Sequence, residues 1–439
     1  MKYFGTDGIR GKANNFPLVP EFLVKLGKAA VNYFDNDNKA IILAGDTRQS
    51  TALIASALSS GIVSAGCDVL ELGVVPTPVL AYFTRILSAK CGIMVTASHN
   101  PWQDNGVKFY RNDGTKLNEK QEEDFEKLIG INLENNVEHG AIHPLIEWQE
   151  DYIAHIKSLF NLDLEELQIT IDCANGATST LAPLVFGTFN ANLKVINDNP
   201  DGKNINENCG ATSLENLKEE RLGIGIAFDG DGDRVIMVDE EGNTIDGDHM
   251  MGIIATDLKN EGKLPKDSIV ITKYSNMGLR TGLWKNEIKV EYVDNGDQFV
   301  SALMRNHGYA IGGEKTGHII LSDYETTGNG IIVALKVLEI MKKVNKKLCE
   351  LDFIQEYPQE LLNVEVVNKT PIENLPRAQL AIKEAENSLG DNGRAFVRYS
   401  GTQDLVRIMV EGQDKNLIKS LAENIAKEFK QRNSTSFGE

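Results

Sequence analysis

Five cysteines among 439 residues, Cys67, Cys91, Cys173, Cys209 and Cys349, are scattered, odd in number and never spaced as Cys-x-x-Cys. That excludes a disulfide framework, a zinc ribbon and a dithiol redox centre, and it predicts free thiols in a reducing compartment, the cytoplasm. Basic residues are also in deficit: 45 Lys and Arg stand against 63 Asp and Glu, a formal net charge of −18. Nucleic acid and anionic membrane surfaces reward clustered cations, so neither is an expected partner. No apolar run approaches the ~18 residues that cross a bilayer. The opening Met1-Lys2-Tyr3-Phe4-Gly5-Thr6-Asp7-Gly8 lacks the apolar stretch of a signal peptide.

What is present is the composition of a globular protein, 41% hydrophobic and 25% charged. The length suits roughly two to four domains of ~100–200 residues. Short β-branched runs alternate with segments of helical period, which predicts α/β architecture. Three strand–turn–helix openings are weakly alike: strand 40–44 with the turn Gly45-Asp46-Thr47-Arg48, strand 168–171 with Asp172–Ala177, and strand 268–271 with Thr272–Gly278. The last part differs. Strand 361–367, helix 375–388, strands 394–398 and 405–410 and a closing helix 416–431 predict a small α+β unit. The expected division is 1–155, 156–250, 251–362 and 363–439, with the amphipathic helix 148–159 between the first two domains.

Several loops carry reactive groups. Strand 223–228 runs into Asp229-Gly230-Asp231-Gly232-Asp233-Arg234. Three carboxylates at alternate positions, freed by glycines, can converge on a hard cation and would repel one another without it. A calcium EF-hand is the competing reading, with Glu240 at its twelfth position, but Arg234 stands where that loop needs glycine. Ser98 lies in Thr96-Ala97-Ser98-His99-Asn100-Pro101, which has no Gly-x-Ser-x-Gly elbow and taken alone reads as a turn. Gly312–His318 resembles a P-loop only in its glycines, since His318-Ile319 replaces the Lys-Ser/Thr pair. It offers Glu314, Thr316 and His318, a set suited to sugar hydroxyls and proton transfer. Arg398-Tyr399-Ser400-Gly401-Thr402, followed by Arg407, forms a candidate phosphate cradle. Arg10, in a loop near the N-terminus, and Lys108, after the serine loop, each read singly as surface charges.

In this order the motifs resemble the α-D-phosphohexomutase superfamily, from Phe4 to Gly412. The anchors are Phe4–Gly11, Thr96–Pro101, Asp229–Arg234, Gly312–His318 and Arg398–Thr402. Asn204–Gly210 and Pro358–Val364 look like the branch that acts on glucosamine phosphates. The resemblance implies three similar α/β domains with mixed sheets and a smaller C-terminal α+β domain around a central cleft. These carry in turn a phosphoserine loop, a metal loop, a sugar loop and a phosphate loop. It implies that Ser98 is phosphorylated and that one Mg²⁺ per subunit is held by Asp229, Asp231, Asp233 and the Ser98 phosphate. Glucosamine 6-phosphate would become glucosamine 1-phosphate through a 1,6-bisphosphate, which also serves as activator, feeding amino-sugar nucleotide and cell-wall precursor synthesis. Arg10, Lys108 and Arg234 would stabilise the transferring group, with Lys108 or His318 moving the proton. Glu314 and Thr316 would bind sugar hydroxyls, and Arg398, Ser400, Gly401, Thr402 and Arg407 the distant phosphate. The partner implied is thus a small sugar phosphate, and the family pattern admits a homodimer.

The chain departs from the family pattern in places. Lys315-Thr316 replaces a Gln-Ser or Met-Ser pair, Gln298 replaces an arginine, and Tyr399, Gln403 and Asp404 replace Pro, Glu and Pro. Asp404 adds negative charge beside the phosphate loop, which predicts weaker anion affinity there. These changes bear on substrate preference more than on reaction type. They leave two alternatives: a phosphomannomutase or phosphoglucomutase of the same superfamily, or a non-catalytic protein binding Ca²⁺ or a sugar phosphate.

Overall fold

The computed structural model describes residues 2–5, 7–34, 40–129, 131, 138–400 and 404–435. The chain divides into two compact units. One comprises Met1–Ser275 with Leu283–Phe353, and the other Asn276–Gly282 with Ile354–Glu439.

The larger unit contains three mixed sheets. The first has strands β1 (Ile9–Lys12), β2 (Ile41–Gly45), β3 (Val69–Val74), β4 (Cys91–Val95), β5 (Asp104–Arg111) and β6 (Ile142–Pro144), in the order β1-β5-β4-β2-β3-β6. The second has β7 (Gln168–Asp172), β8 (Asn192–Ile196), β9 (Ile224–Phe228), β10 (Val235–Val238) and β11 (Thr244–Ile245), in the order β11-β10-β9-β7-β8. The third has β12 (Ser268–Thr272), β13 (Lys289–Val293), β14 (Ile311–Gly313) and β15 (Ile319–Leu321), in the order β13-β12-β14-β15.

One four-strand pattern recurs in all three. β2, β7 and β12 each pair in parallel with the next strand on one side and with the one after that on the other. β4, β9 and β14 then turn back into an antiparallel partner, β5, β10 and β15. The three suspected strand–turn–helix openings are therefore the central strands of three related sheets. The serine loop, the aspartate loop and the Glu314–His318 loop occupy the same connection in each.

Parallel strands covered on both faces read as unbroken apolar runs, and β2, β4, β9 and β12 are buried at all five positions. Helices Pro20–Tyr33 and Thr51–Ser64 meet through glycines: a Cβ at Gly27 would stand 2.4 Å from the Leu58 carbonyl oxygen, and one at Gly61 2.1 Å from that of Val24. Helix Gly247–Asn260 is started by Asp246, whose side chain accepts from the N–H of Asp248 at 3.0 Å and of His249 at 3.3 Å. Positions 155 and 250 fall inside helices, Trp148–Leu159 and Gly247–Asn260.

The smaller unit holds β16 (Gln359–Glu365), β17 (Gly393–Tyr399) and β18 (Leu405–Gly412), all antiparallel, covered by helices Pro376–Leu389 and Lys415–Thr435. Its core gathers Val364, Val406, Ile408, Ile418, Ala422 and Ile425. The first of these strands begins at Gln359, two residues before the expected 361, because Gln359 and Glu360 pair with Glu411 and Val410. Among the described residues no helix is long and apolar enough to cross a membrane, and all five cysteines are free thiols.

Candidate functional site

Ser98 follows β4 in a loop that turns through a left-handed residue: its φ is +52°, unusual for a side chain with a Cβ. Its N–H donates to Thr96 Oγ1 at 2.8 Å, and Thr96 Oγ1 donates in turn to Asp46 Oδ2 at 2.7 Å. Ser98 Oγ donates to Asp229 Oδ2 at 2.7 Å and lies 3.4 Å from His99 Nδ1. Burial, with the cations Arg234 and Arg10, pushes His99 down to about 4, so at neutral pH this imidazole adds no positive charge beside the serine.

The aspartate loop is the β9–β10 connection, and its three carboxylates are buried. One oxygen from each lies within 4.8 Å of the others. Burial, then the neighbouring Asp231 and Asp233, hold the Asp229 carboxyl well above its ordinary range. Oδ1 of Asp231 and Oδ1 of Asp233 are buried without a hydrogen-bond partner among the described residues. Orphaned hard oxygens on mutually repelling carboxylates are the donor set that a divalent cation satisfies. This cluster can hold a metal ion.

Two groups steady Asp231. Thr77, first residue of helix Thr77–Ile86, donates its hydroxyl to Oδ2 at 2.7 Å and its N–H to the Asp231 carbonyl at 2.8 Å. Lys108 donates to the same Oδ2 at 3.1 Å. Burial alone would raise Asp231, but these two partners outweigh it and the net shift is downward.

Lys108 departs from its sequence reading as a surface charge. It sits on β5 opposite Met94 and is 2% exposed. Besides Asp231 it meets Asp7 at 3.1 Å and Asp233 at 3.7 Å. Burial opposes its charge, yet Asp231 and Asp7 reverse the balance and hold it protonated. Arg10 also departs, lying on edge strand β1 opposite Gly106, not in a loop. Its guanidinium pairs with the Asp7 carboxylate and donates to the Asp7 carbonyl at 3.2 Å. Asp7 is shared further with Lys116, at 2.7 Å, and Lys116 pairs with Asp297. The sequence reading assigns no role to Asp7, Lys116 or Asp297, although Asp7 lies within the Phe4–Gly11 anchor.

The third hairpin adjoins the second. Arg234 and His318 form an antiparallel bridge, and the Val235 N–H donates to the Gly317 carbonyl at 3.2 Å. Arg234 Nε is 3.8 Å from Asp233 Oδ1, and the Arg234 N–H donates to Asp229 Oδ1 at 3.2 Å. His318 is 2% exposed, with Nε2 3.6 Å from Asp297 and 3.9 Å from Asp233. Neither of its ring nitrogens has a hydrogen-bond partner among the described residues. Glu314 accepts from the Gly296 N–H at 3.1 Å and from Thr316 Oγ1 at 3.1 Å. Ser98, the three aspartates, Arg10, Lys108, Arg234, Glu314, Thr316 and His318 thus all belong to the larger unit, on loops and strands of its three sheets.

The remaining candidates belong to the smaller unit. Arg398 on β17 lies directly opposite Arg407 on β18, so both arginines share one sheet face. Ser400 is buried, and its N–H donates to the Leu405 carbonyl at 2.8 Å. Gly401 and Thr402 lie outside the described residues. Tyr399 donates its hydroxyl to the Thr370 carbonyl at 2.7 Å, and Asp404 pairs with Lys369 at 3.3 Å. Lys369 thereby offsets part of the negative charge that Asp404 adds.

Comparison with known proteins supplies four family matches in chain order. Residues 1–135, 150–242 and 246–357 match phosphoglucomutase/phosphomannomutase alpha/beta/alpha domains I, II and III, and residues 361–428 match the C-terminal domain. The chain is 42% identical over 443 residues to a phosphoglucosamine mutase of Lactobacillus helveticus, covering 97% of this chain and 98% of that one. The fold resembles a phosphoglucomutase/phosphomannomutase family protein of Burkholderia thailandensis with a TM-score of 0.82 at 22% identity, covering 98% and 97% of the two chains. It also resembles an Aspergillus fumigatus N-acetylphosphoglucosamine mutase solved with GlcNAc-6P and magnesium, with a TM-score of 0.70 at 18% identity over 97% and 95%.

Proposed function

From the premise that this chain belongs to the phosphoglucosamine mutase family, we propose how its own residues interconvert glucosamine 6-phosphate and glucosamine 1-phosphate. The carrying observation is the 2.7 Å hydrogen bond from Ser98 Oγ to Asp229, a serine hydroxyl aimed at a carboxylate cluster fit for a metal. In this reading Ser98 carries a phosphoryl group. It passes the group to the free hydroxyl of the bound sugar phosphate, giving a 1,6-bisphosphate, and takes back the other phosphate after the intermediate turns round.

Asp229, Asp231 and Asp233 would hold Mg²⁺, which when bound draws charge from the transferring phosphoryl oxygens. The rest falls to the protein. Lys108 is engaged by three carboxylates and cannot readily give up its proton, which supports a role as a fixed cation. His318, with no hydrogen-bond partner at either ring nitrogen among the described residues, is the better candidate to take the proton from the attacking sugar hydroxyl and return it in the second transfer. Arg234 and Arg10 add positive charge close enough to be felt at His99. Glu314 and Thr316 present a carboxylate and a hydroxyl for sugar hydroxyls, which suits a substrate that must bind in two orientations. Arg398 and Arg407, paired across one sheet face, suit the phosphate that is not reacting. Free, scattered thiols support a cytoplasmic setting, where the product would feed amino-sugar nucleotide synthesis.

The test is turnover of glucosamine 6-phosphate, glucose 6-phosphate and mannose 6-phosphate, with and without Mg²⁺ and a bisphosphate primer, together with intact-mass mapping of phosphate to Ser98. Preference for a neutral hexose would sink the glucosamine assignment. An unphosphorylated Ser98 in turning-over enzyme would sink the carrier.

A further inference from the structure

Ser98 is held through its backbone as well as its side chain. Its carbonyl oxygen accepts from Arg48 Nη2 at 2.8 Å and from Asn206 Nδ2 at 2.9 Å. The same two groups reach the Asn100 carbonyl, at 2.8 Å and 3.3 Å. Arg48 Nη1 extends the grip to the carbonyls of Pro101 and Asp104, and Nε pairs with Asp46 Oδ2 at 2.9 Å. A guanidinium has five N–H donors, and here all five are used by a side chain with no exposed surface. Most of them end on carbonyls, so this cation sets loop geometry more than it balances charge.

Asn206 comes from the Asn204–Gly210 segment that follows the second sheet's β8, and its own N–H donates to the Ala174 carbonyl at 2.9 Å. Little slack remains around it. A Cβ at Gly230, between the first two aspartates, would stand 2.7 Å from the Ser98 carbonyl oxygen and 2.8 Å from Asn206 Nδ2. The serine loop, the aspartate loop and the 204–210 loop therefore stack through one carbonyl.

We infer that Arg48 and Asn206 are positioning residues for the phosphoryl carrier: they clamp the Ser98 carbonyl and so keep Oγ directed at the metal loop in both transfer steps. The left-handed φ of Ser98 makes the clamp necessary. A non-glycine residue there is strained by contact between its Cβ and the neighbouring backbone, and relaxation to negative φ would swing Oγ away from Asp229. Both transfers need that oxygen in line, first as leaving group and then as nucleophile, whereas neither Arg48 nor Asn206 is among the residues proposed to bind the sugar phosphate. A misplacement on the order of 1 Å can cost about 10²-fold in rate. The inference rests on the carrier role proposed for Ser98.

The experiment uses the full chain with Asn206→Asp, which keeps side-chain shape but turns a donor into a charged acceptor facing two carbonyls, and with Arg48→Lys, which keeps charge but loses the fork. For glucosamine 6-phosphate we expect kcat to fall about 10- to 100-fold with KM within about threefold of wild type. Primed Ser98 should carry phosphate to the wild-type extent by intact mass. Because both residues serve one oxygen, the double variant should lose much less than the product of the single losses. If Asn206→Asp does not fold, Asn206→Ala removes the donor without adding charge and is read by the same criteria. A kcat within about twofold of wild type, or a raised KM with unchanged kcat, overturns the clamp. Wild-type enzyme without turnover overturns the mutase reading and the clamp's catalytic role with it, whereas active wild type beside an unaffected variant overturns the clamp alone.

Discussion

Glu325 follows β15 and is 2% exposed, yet neither carboxylate oxygen meets a hydrogen-bond donor among the described residues. Arg85 Nη2 and His155 Nε2 both stop at 3.9 Å. His155 is itself pushed down by burial and by Arg85, so it supplies no counter-charge at neutral pH. Tyr82 and Tyr152 face the same carboxylate, and both phenols are pushed up, by burial first and then by its charge. Burial pushes Glu325 itself up to about 8, against a smaller opposing pull from Arg85. The folded protein therefore binds a proton that the unfolded chain releases above about 4.5. Stability is complete below that pH, falls by about 1.4 kcal/mol per pH unit above it, and levels off beyond about 8. The whole penalty is about 5 kcal/mol, of which about 3 kcal/mol is already present at pH 7. Glu325→Gln keeps the shape and is neutral in both states, so its advantage over wild type should grow with pH along that slope. An amide donor left unsatisfied subtracts about 1–3 kcal/mol, but equally at every pH. Melting of both proteins from pH 5 to 9, followed by circular dichroism, gives the comparison. A difference between their melting temperatures that does not change with pH refutes the buried, unpaired carboxylate.

Three further outcomes follow from the site. Ser98→Ala should abolish mutase turnover and remove phosphate from the intact mass while leaving the melting temperature near wild type; appreciable turnover would require another carrier. Lys108→Met leaves Asp7, Asp231 and Asp233 facing one another without their shared cation, which should cost about 3–5 kcal/mol of stability. Added Mg²⁺ should then raise its melting temperature more than it raises that of wild type, and an equal rise in both would argue against Lys108 balancing the cluster. His318→Gln should lower kcat about 10²-fold or more with little change in KM, whereas wild-type kcat would move proton transfer to another group.

What the sequence revealed depended on where the physical signal lay. The aspartate triplet was legible because three carboxylates at alternate positions repel without a cation, and that conflict is local. The central strands β2, β7 and β12 were legible as apolar runs ending in polar turns. Lys108 does leave a signal: a lysine between Val107 and Phe109, in a strand otherwise apolar from 106 to 110, has no solvent face to occupy. Arg48 left none. Its targets are carbonyl oxygens 50 to 56 positions away, and every residue has a carbonyl. Asp7, Lys116 and Asp297 likewise stand in a turn, an isolated bridge and a helix start until the fold brings them together.

The repeated sheet accounts for why the reactive loops lie far apart in sequence. In each sheet the central parallel strand lies beside a strand that turns back into an antiparallel partner, and the connecting loop stands at the strand ends. Three copies give three such loops, and each carries different groups: a hydroxyl at Ser98, a carboxylate cluster at Asp229–Asp233, and a carboxylate with an imidazole at Glu314 and His318. Adjacent copies are joined at those loops. Ser98 bonds Asp229, and Arg234 bridges His318. A shift of one sheet against its neighbour would therefore displace a group proposed to react, so substitutions at these junctions should move kcat before they move the melting temperature.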